Sequence, residues 1–573
     1  TTQTEIDNAL ETLRIARKVN AADKQEDVFS RETTPENNKY YYLYNVGQKR
    51  FFCGGDDWGA HAAVGFPGIK VLLCDKDGSS FRIDTRLQNN TNEHYLSYNG
   101  YCDTNVSNKW TFTQNADGTY AIARADSASI LLGFRPGTFC RVDTDMSDAD
   151  DANNKWILVT EEYRNSLLAS ASRSNPVDAS HKIKMPNFNQ REFVIDGGWL
   201  ISETNSNGAW NMEYSGIGSH NIWGRGANHP DFVFESWNDA TLDLNQKITD
   251  LPSGIYKVCV QGYYRHGNYE QQVTDFTNDS VKTDGAYLYA NGLTNQTQYL
   301  VPITSERDMA PGEGRDGAAG RFPDACTMAA TYFEYGLYRN ELEVEVGTEG
   351  KLTIGVIKTQ NNIAKDWVVV DNFRLTYLGP TEVSVSVTSA GYATYASDHA
   401  LDFTNSGIKA YIATTKGDGT GVNFTQINKV PADTGVLLYN DGETTEDIPV
   451  FTGTGDGTTG NVFVRGTGAN VATDDGTNYN YILNNGGSGI GFYKANGQMV
   501  ATNRAYISIP QNESAGVKAF INLPGFDDDA TAIEVVNGQS SMVNGPVYNL
   551  VGQRLQKMQK GINIVKGKKV MVK

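Results

Sequence analysis

The chain has 573 residues, 39% of them hydrophobic and 20% charged, with a formal net charge of −18. That length allows three or four domains, and the apolar share excludes a disordered chain. The acidic balance, with nothing basic clustered outside the last residues, argues against nucleic acid as a partner, and no run approaches the ~18 apolar residues that a membrane-spanning helix needs. Fifty-eight Gly and thirty Tyr fit a turn-rich, multidomain all-β architecture. With no initiator Met and no leader at its start, the sequence is expected to begin after processing or to be a piece of something larger.

Residues 1–38 read as a helix and a polar linker. Ile6, Leu10, Leu13 and Arg17 recur at three- and four-residue spacing, which predicts a helix from Thr4 to Val19. Thr2 and Glu5 can form its capping box, and the helix is expected to pack as the remnant of an upstream helical segment or to cap the next domain.

Residues 39–160 read as three units of about forty residues, the mark of an internal repeat. Each opens with an aromatic strand: Tyr41–Leu43, Phe81–Ile83 and Tyr120–Ile122. Second strands follow at Phe51–Phe52, Tyr95–Leu96 and Ile130–Leu132, and closing strands at Val71–Leu73, Trp110–Phe112 and Trp156–Leu158. A short helix (Tyr163 to Ala171) lies in the connector 161–187. Residues 188–379 form a second β domain, with strands at Val258–Tyr264, Lys351–Val356 and Trp367–Leu375. Residues 380–523, rich in Thr, Gly and Asn, read as a β-sandwich, and 524–573 as an Asp-rich linker with a small β tail. From Arg554 onward that tail carries seven Lys/Arg and no carboxylate.

Four cysteines (Cys53, Cys74, Cys102, Cys140) fall in the first β region and two (Cys259, Cys326) in the second. None forms a C-x-x-C, which weighs against structural zinc; free thiols and disulfides both stay open. Asp143, Asp145, Asp148, Asp150 and Asp151 lack the Gly and closing Glu of an EF-hand and read as a solvated loop.

The ending, VYNLVGQRL and then KGINIVKGKKVMVK, resembles the C-terminal sorting tail of proteins exported by the type IX secretion system of Bacteroidetes. It implies a location outside the cell or on its outer surface. The repeats of 39–160 resemble a ricin-type β-trefoil, whose Gln-x-Trp survives as Asn-Lys-Trp at Trp110 and Trp156 and is missing from the first unit. The combination DLNQKITDLPSGIYKVCVQGYYR, GKLTIGV and DWVVVDNFRLTYLG resembles the galactose-binding-like jelly roll of carbohydrate-active proteins.

These resemblances imply a secreted, non-catalytic protein that engages a polysaccharide or glycoprotein glycan. The alternatives are the binding portion of a larger glycoside hydrolase or peptidase, and a structural protein that self-assembles. Sugars stack on aromatic rings while polar side chains read their hydroxyls. The stretch from Trp199 to Trp237 also holds Trp210, Tyr214, Trp223, Arg225, Asn228 and His229. Trp210 and Trp223 are expected as exposed platforms with Arg225 and Tyr264 beside them, and Trp237 as buried; the alternative is that all are core. Asp57 and Trp58 are the candidates in the first domain. Asp371 and Glu235 could hold a structural calcium, or Asp371 could simply bond backbone.

One catalytic pattern stands out. His266-Gly267 followed by Asp324-Ala325-Cys326 has the order of clan CD cysteine peptidases, whose His and thiolate converge for attack on an amide. Both pieces lie inside the jelly-roll stretch, so coincidence is the preferred reading. No Gly-x-Ser-x-Gly, His-Glu-x-x-His or phosphate loop is present.

Overall fold

The computed structural model describes residues 2–21, 23–56, 59–87, 93–189, 201–202, 209–224, 232–300, 322–359, 364–416, 421–451, 454–487, 489–513, 520–523, 534–536, 547–549, 553–555, 559–565 and 568–572. The fold is multidomain and all-β, in two units, Thr1–Thr381 and Glu382–Lys573.

The chain opens with α1 (Gln3–Ala21). Its capping box forms as read: the Thr2 N–H donates to Glu5 Oε2 at 2.7 Å, and the Glu5 N–H to Thr2 Oγ1 at 3.3 Å. Ile6, Leu10 and Leu13, expected to pack, are instead exposed.

Ten strands make the first sheet: β1 (Lys39–Asn45), β2 (Arg50–Asp56), β3 (His61–Gly65), β4 (Val71–Asp77), β5 (Ser80–Asp84), β6 (Trp110–Gln114), β7 (Tyr120–Arg124), β8 (Ser127–Phe134), β9 (Val142–Met146) and β10 (Lys155–Val159). Their order is β3-β2-β1-β4-β5-β6-β7-β8-β9, and β10 closes it by pairing with both β1 and β7. Leu43, Leu73, Ile83, Trp110, Ile122, Trp156 and Leu158 meet in its core. Both indoles are wholly buried and keep a partner, Trp110 Nε1 on Leu96 O and Trp156 Nε1 on Leu132 O. Tyr95–Leu96, expected as a strand, makes only isolated bridges from Tyr95 to Asp84 and Thr104. Asp143, expected in solvent, is buried against Arg135 and Arg141. None of the six cysteines forms a disulfide.

After α2 (Glu161–Leu167), capped by Thr160, comes the second sheet. Its strands are β11 (Val177–Asp178), β12 (Ile201–Ser202), β13 (Trp210–Gly224), β14 (Phe232–Ile248), β15 (Gly254–Arg265), β16 (Ala286–Asn291), β17 (Asn295–Tyr299), β18 (Arg339–Val346), β19 (Leu352–Lys358) and β20 (Trp367–Tyr377). The order is β17-β16-β19-β14-β20-β15-β18, with β13 on β14, β12 on β13 and β11 on β20. Two nine-residue helices, α3 (Tyr269–Thr277) and α4 (Cys326–Glu334), are inserted between strands. Among the described residues no helix is long and apolar enough to cross a membrane.

The neighbours β14, β20 and β15 bury both faces. Phe232, Phe234, Val258, Val260, Val368 and Val370 point into the main core, while Val233, Tyr263, Trp367 and Val369 pack under Met328, Ala329, Tyr332 and Phe333 of α4. Burial on both faces is why the sequence runs apolar without alternation through Val368-Val369-Val370.

In the second unit, the strand Lys409–Thr415 serves two cores. Ala410 and Ile412 join Val385, Val436 and Leu438, whereas Tyr411 and Ala413 meet Phe463, Tyr481, Phe492 and Ile507. In the tail, Gly561–Val565 pairs with Val547–Tyr548 and with Lys568–Val572, and Glu534–Val536 pairs in parallel with Lys568–Val572.

Trp210 overturns one expectation here. It is wholly buried, its ring centre 4.6 Å from Phe373 and 5.2 Å from Phe188, and its Nε1 donates to Met185 O at 3.1 Å. An indole so enclosed is core, not a platform. Trp210→Ala is expected to cost about 3–5 kcal/mol in urea unfolding, and Trp210→Phe much less.

Candidate functional site

Strand register gathers one cross-strand row. Trp237 of β14 stands opposite Trp367 of β20, which stands opposite Arg265 of β15. Two residues back on β14, Glu235 shares their face, the face covered by α4. The first turn of α4 and the preceding Asp324 complete a cleft of about 380 Å³, lined by Glu235, Trp237, Arg265, Asp324, Cys326 and Trp367 among others.

Its polar groups are fixed in advance. Arg265 is 4% exposed; its guanidinium lies 4.6 Å from the Trp367 ring centre, donates from Nη1 to Asp324 Oδ1 at 2.6 Å and from Nε to Gly267 O at 3.1 Å. Glu235 Oε2 accepts from Trp367 Nε1 at 2.8 Å and from Cys326 Sγ at 3.1 Å. Trp367 is nearly enclosed, so Trp237, half-buried, supplies the open ring.

The expected site residues disperse. Asp57, Trp58 and Arg225 lie outside the described residues, as does the side chain of Trp223. Tyr264 is buried in the main core, its hydroxyl on Asp366 Oδ2 at 3.2 Å, because as an even-numbered residue of β15 it faces away from Arg265. Trp237, expected buried beside Phe232-Val233-Phe234, takes the opposite face from Phe232 and Phe234, and period-two counting along β14 was the available signal.

Asp371 and Glu235 do not form a calcium site. Glu235 lines the cleft at the start of α4, and Asp371 lines a different cavity with Glu334 at that helix's end. Among the described residues no group of three or more His, Cys, Asp or Glu could hold a metal ion.

The peptidase pattern also separates. The His266 ring bonds Asp275 Oδ2 at 2.7 Å, while Cys326 donates to Glu235. Burial, then the Glu235 carboxylate, push the Cys326 thiol up, the reverse of an activated nucleophile.

No family model matches this chain, and no curated protein does. Solved structures similar to it include TmCBM61 in complex with beta-1,4-galactotriose, at 15% identity over 34% of this chain and 96% of that one, with a TM-score of 0.18. A mosquitocidal holotoxin aligns at 14% identity over 82% of this chain and 51% of its own, with a TM-score of 0.22. The glycoside hydrolase domain of Endo-D from Streptococcus pneumoniae R6 aligns at 11% identity over 53% of this chain and 38% of its own, with a TM-score of 0.13. At such scores none of these likenesses bears on the function of this chain.

Two measurements check this geometry. In the native protein Cys326 is expected to alkylate with iodoacetamide far more slowly than the same thiol in urea across pH 7–9, read by mass spectrometry of the peptide; equal rates would mean an open, ionised thiol. Asp371 gives a pH signature. An unfolded Asp titrates near 3.9 and burial raises the folded value, so folding takes up a proton there at pH values between the two. Stability linked to this group is whole below about pH 4 and falls as the pH climbs toward the raised folded value. Asp371→Asn is therefore expected to out-melt the parent by a margin that widens from pH 5 to pH 8, and a flat margin would mean Asp371 is ionised when folded.

Proposed function

We propose that this chain is a non-catalytic carbohydrate-binding protein that holds a polysaccharide or glycoprotein glycan in the cleft of Trp237, Trp367, Arg265 and Glu235. The observation that carries the reading is the row Trp237–Trp367–Arg265 across three adjacent strands, with polar groups already oriented by Asp324, Gly267 and Cys326. A pyranose ring laid on the open indole of Trp237 would present its hydroxyls to Arg265, Asp324 and Glu235. Aromatic contact supplies affinity, and fixed polar groups supply orientation without the entropy cost of ordering them on binding.

The jelly-roll reading of 188–379 and the trefoil reading of 39–160 belong to this proposal, as does a working location outside the cell or on its outer surface. The sorting-like tail and its three-strand pattern support that location.

A glycan array on the full chain identifies the sugar, and calorimetry on the best hit tests the cleft. Trp237→Ala is expected to weaken binding about tenfold or more, from loss of ring contact and apolar area, and Trp237→Phe less. Unchanged affinity in folded Trp237→Ala would remove the cleft from the reading. Loss in Trp223→Ala instead would return the site to the Trp199–Trp237 stretch first suggested by the sequence.

A further inference from the structure

A second cavity, of about 330 Å³ and partly open to solvent, lies where the first sheet meets the second within the Thr1–Thr381 unit. One wall comes from β2 and the segments around Phe66 and Phe139, and the other from β15, β20 and the last turn of α4. It shares no residue with the cleft.

Arg50 sets its character. The side chain is 2% exposed, and only Nη1 has a protein partner, Phe139 O at 3.2 Å, with the Phe139 ring centre 5.1 Å from the guanidinium. Nε and Nη2 are buried and have none. Those two nitrogens share one edge of the guanidinium, the fork whose spacing matches the two oxygens of a carboxylate. A buried guanidinium with two unmet N–H donors is costly unless something in the cavity meets them.

The other cations lining the cavity are occupied. Arg374 bonds Asp23 at 2.6 Å, Asn187 at 2.7 Å and Asn372 at 3.0 Å, and Arg339 bonds Glu341 at 3.0 Å.

Asp371 marks the second wall. Between the pairs Cys259–Arg374 and Gln261–Asp371, two residues of β20 oppose the single Val260, a β-bulge with Asn372 at φ 54°. Bulges re-aim side chains, and this one leaves Asp371 Oδ1 buried without a protein partner on the cavity wall. Burial raises that carboxyl well above the usual carboxylate range, which favours the protonated form that can donate to a ligand oxygen.

We propose that this cavity binds a small hydroxylated monocarboxylate of the size and chemistry of a uronic acid, its carboxylate on Arg50 Nε and Nη2 and a hydroxyl or ring oxygen on Asp371. The volume sits at the small end of ligand sites, which suits a single sugar acid and not a chain. The site stands independently of glycan binding at the cleft.

The test is thermal melting and calorimetry of the full chain with D-glucuronate or D-galacturonate, against glucose and the methyl ester of glucuronic acid at equal concentration and ionic strength. The sugar acids are expected to raise the melting temperature saturably and the neutral controls not. Arg50→Lys keeps the charge and loses the fork, and is expected to bind about tenfold more weakly or worse. Ala330→Leu, which fills the cavity from α4 without touching a charged group, is expected to bind equally poorly, and it decides the location should Arg50→Lys fail to fold. A wild-type protein stabilised no more by the acids than by glucose overturns the proposal. So does acid binding that survives in folded Ala330→Leu. A Trp237→Ala protein that loses the glycan and keeps the acid would separate this site from the cleft.

Discussion

Everything of functional interest in the first unit depends on one constraint: the strands β14, β20 and β15 are covered on both faces. A sheet with one solvated face would alternate apolar and polar; here the second face is roofed by α4, whose Met328, Ala329, Tyr332 and Phe333 recur at helical spacing. A nine-residue roof is shorter than the strands beneath it, which run to 11, 12 and 17 residues. The face is therefore dry in its middle and recessed where the roof stops. The cleft opens at the start of α4 and the cavity at its end.

The second recess exists because the two sheets of this unit are held together by polar anchors rather than by a continuous apolar seam. Arg164, 3% exposed, donates to Pro67 O at 2.9 Å and to Asp178 at 2.9 Å, with its guanidinium 4.5 Å from the rings of Tyr42 and Phe51. Asn189 reaches Gly54 O and Gly59 O, and Asn187 reaches Phe66 O at 2.8 Å. At Gly59, with φ 74°, a Cβ would fall 2.5 Å from the Phe232 ring, so the two sheets approach there at a distance only glycine permits. Such point contacts fix the spacing and leave a void between them, and the void collects the side chains that neither core could take.

Much of this fold was legible because period-two and apolar-run patterns are local. Eight of the nine expected strands between Tyr41 and Leu158 fall inside observed ones. In the second sheet the expected Trp367–Leu375 strand lies inside β20 and the expected Lys351–Val356 strand overlaps β19 from Leu352, and the Thr2–Glu5 cap was readable from two residues. The site was less legible, for a physical reason. Tryptophan is informative about a binding face only when its partner face is known, and Trp210 and Trp237 differ only in which side of the sheet they take. Counting parity from Phe232 would have put Trp237 with Glu235, but nothing local announced that a helix covered that side. The segment Cys326-Thr327-Met328-Ala329-Ala330 was read for the chemistry of a thiol. Its role is that of a lid, with Cys326 serving as a buried donor to Glu235.

The two recesses differ in the charge they leave unmet, and that difference sorts what each can hold. In the cleft, the Arg265 guanidinium is matched by Asp324, and Glu235 already accepts two donors, so an added anion would meet a charge already answered. Neutral hydroxyls, which donate and accept at once, fit groups that are fixed but retain lone pairs or protons. In the cavity, Nε and Nη2 on one edge of Arg50 have no protein acceptor, and burial raises the Asp371 carboxyl, which favours the protonated form that can donate. Low dielectric strengthens an interaction with that edge and penalises leaving it empty. The two proposals, a glycan at the outer recess and a single acidic unit in the inner one, rest on the same bulge, the same roof and the same alternation of side chains.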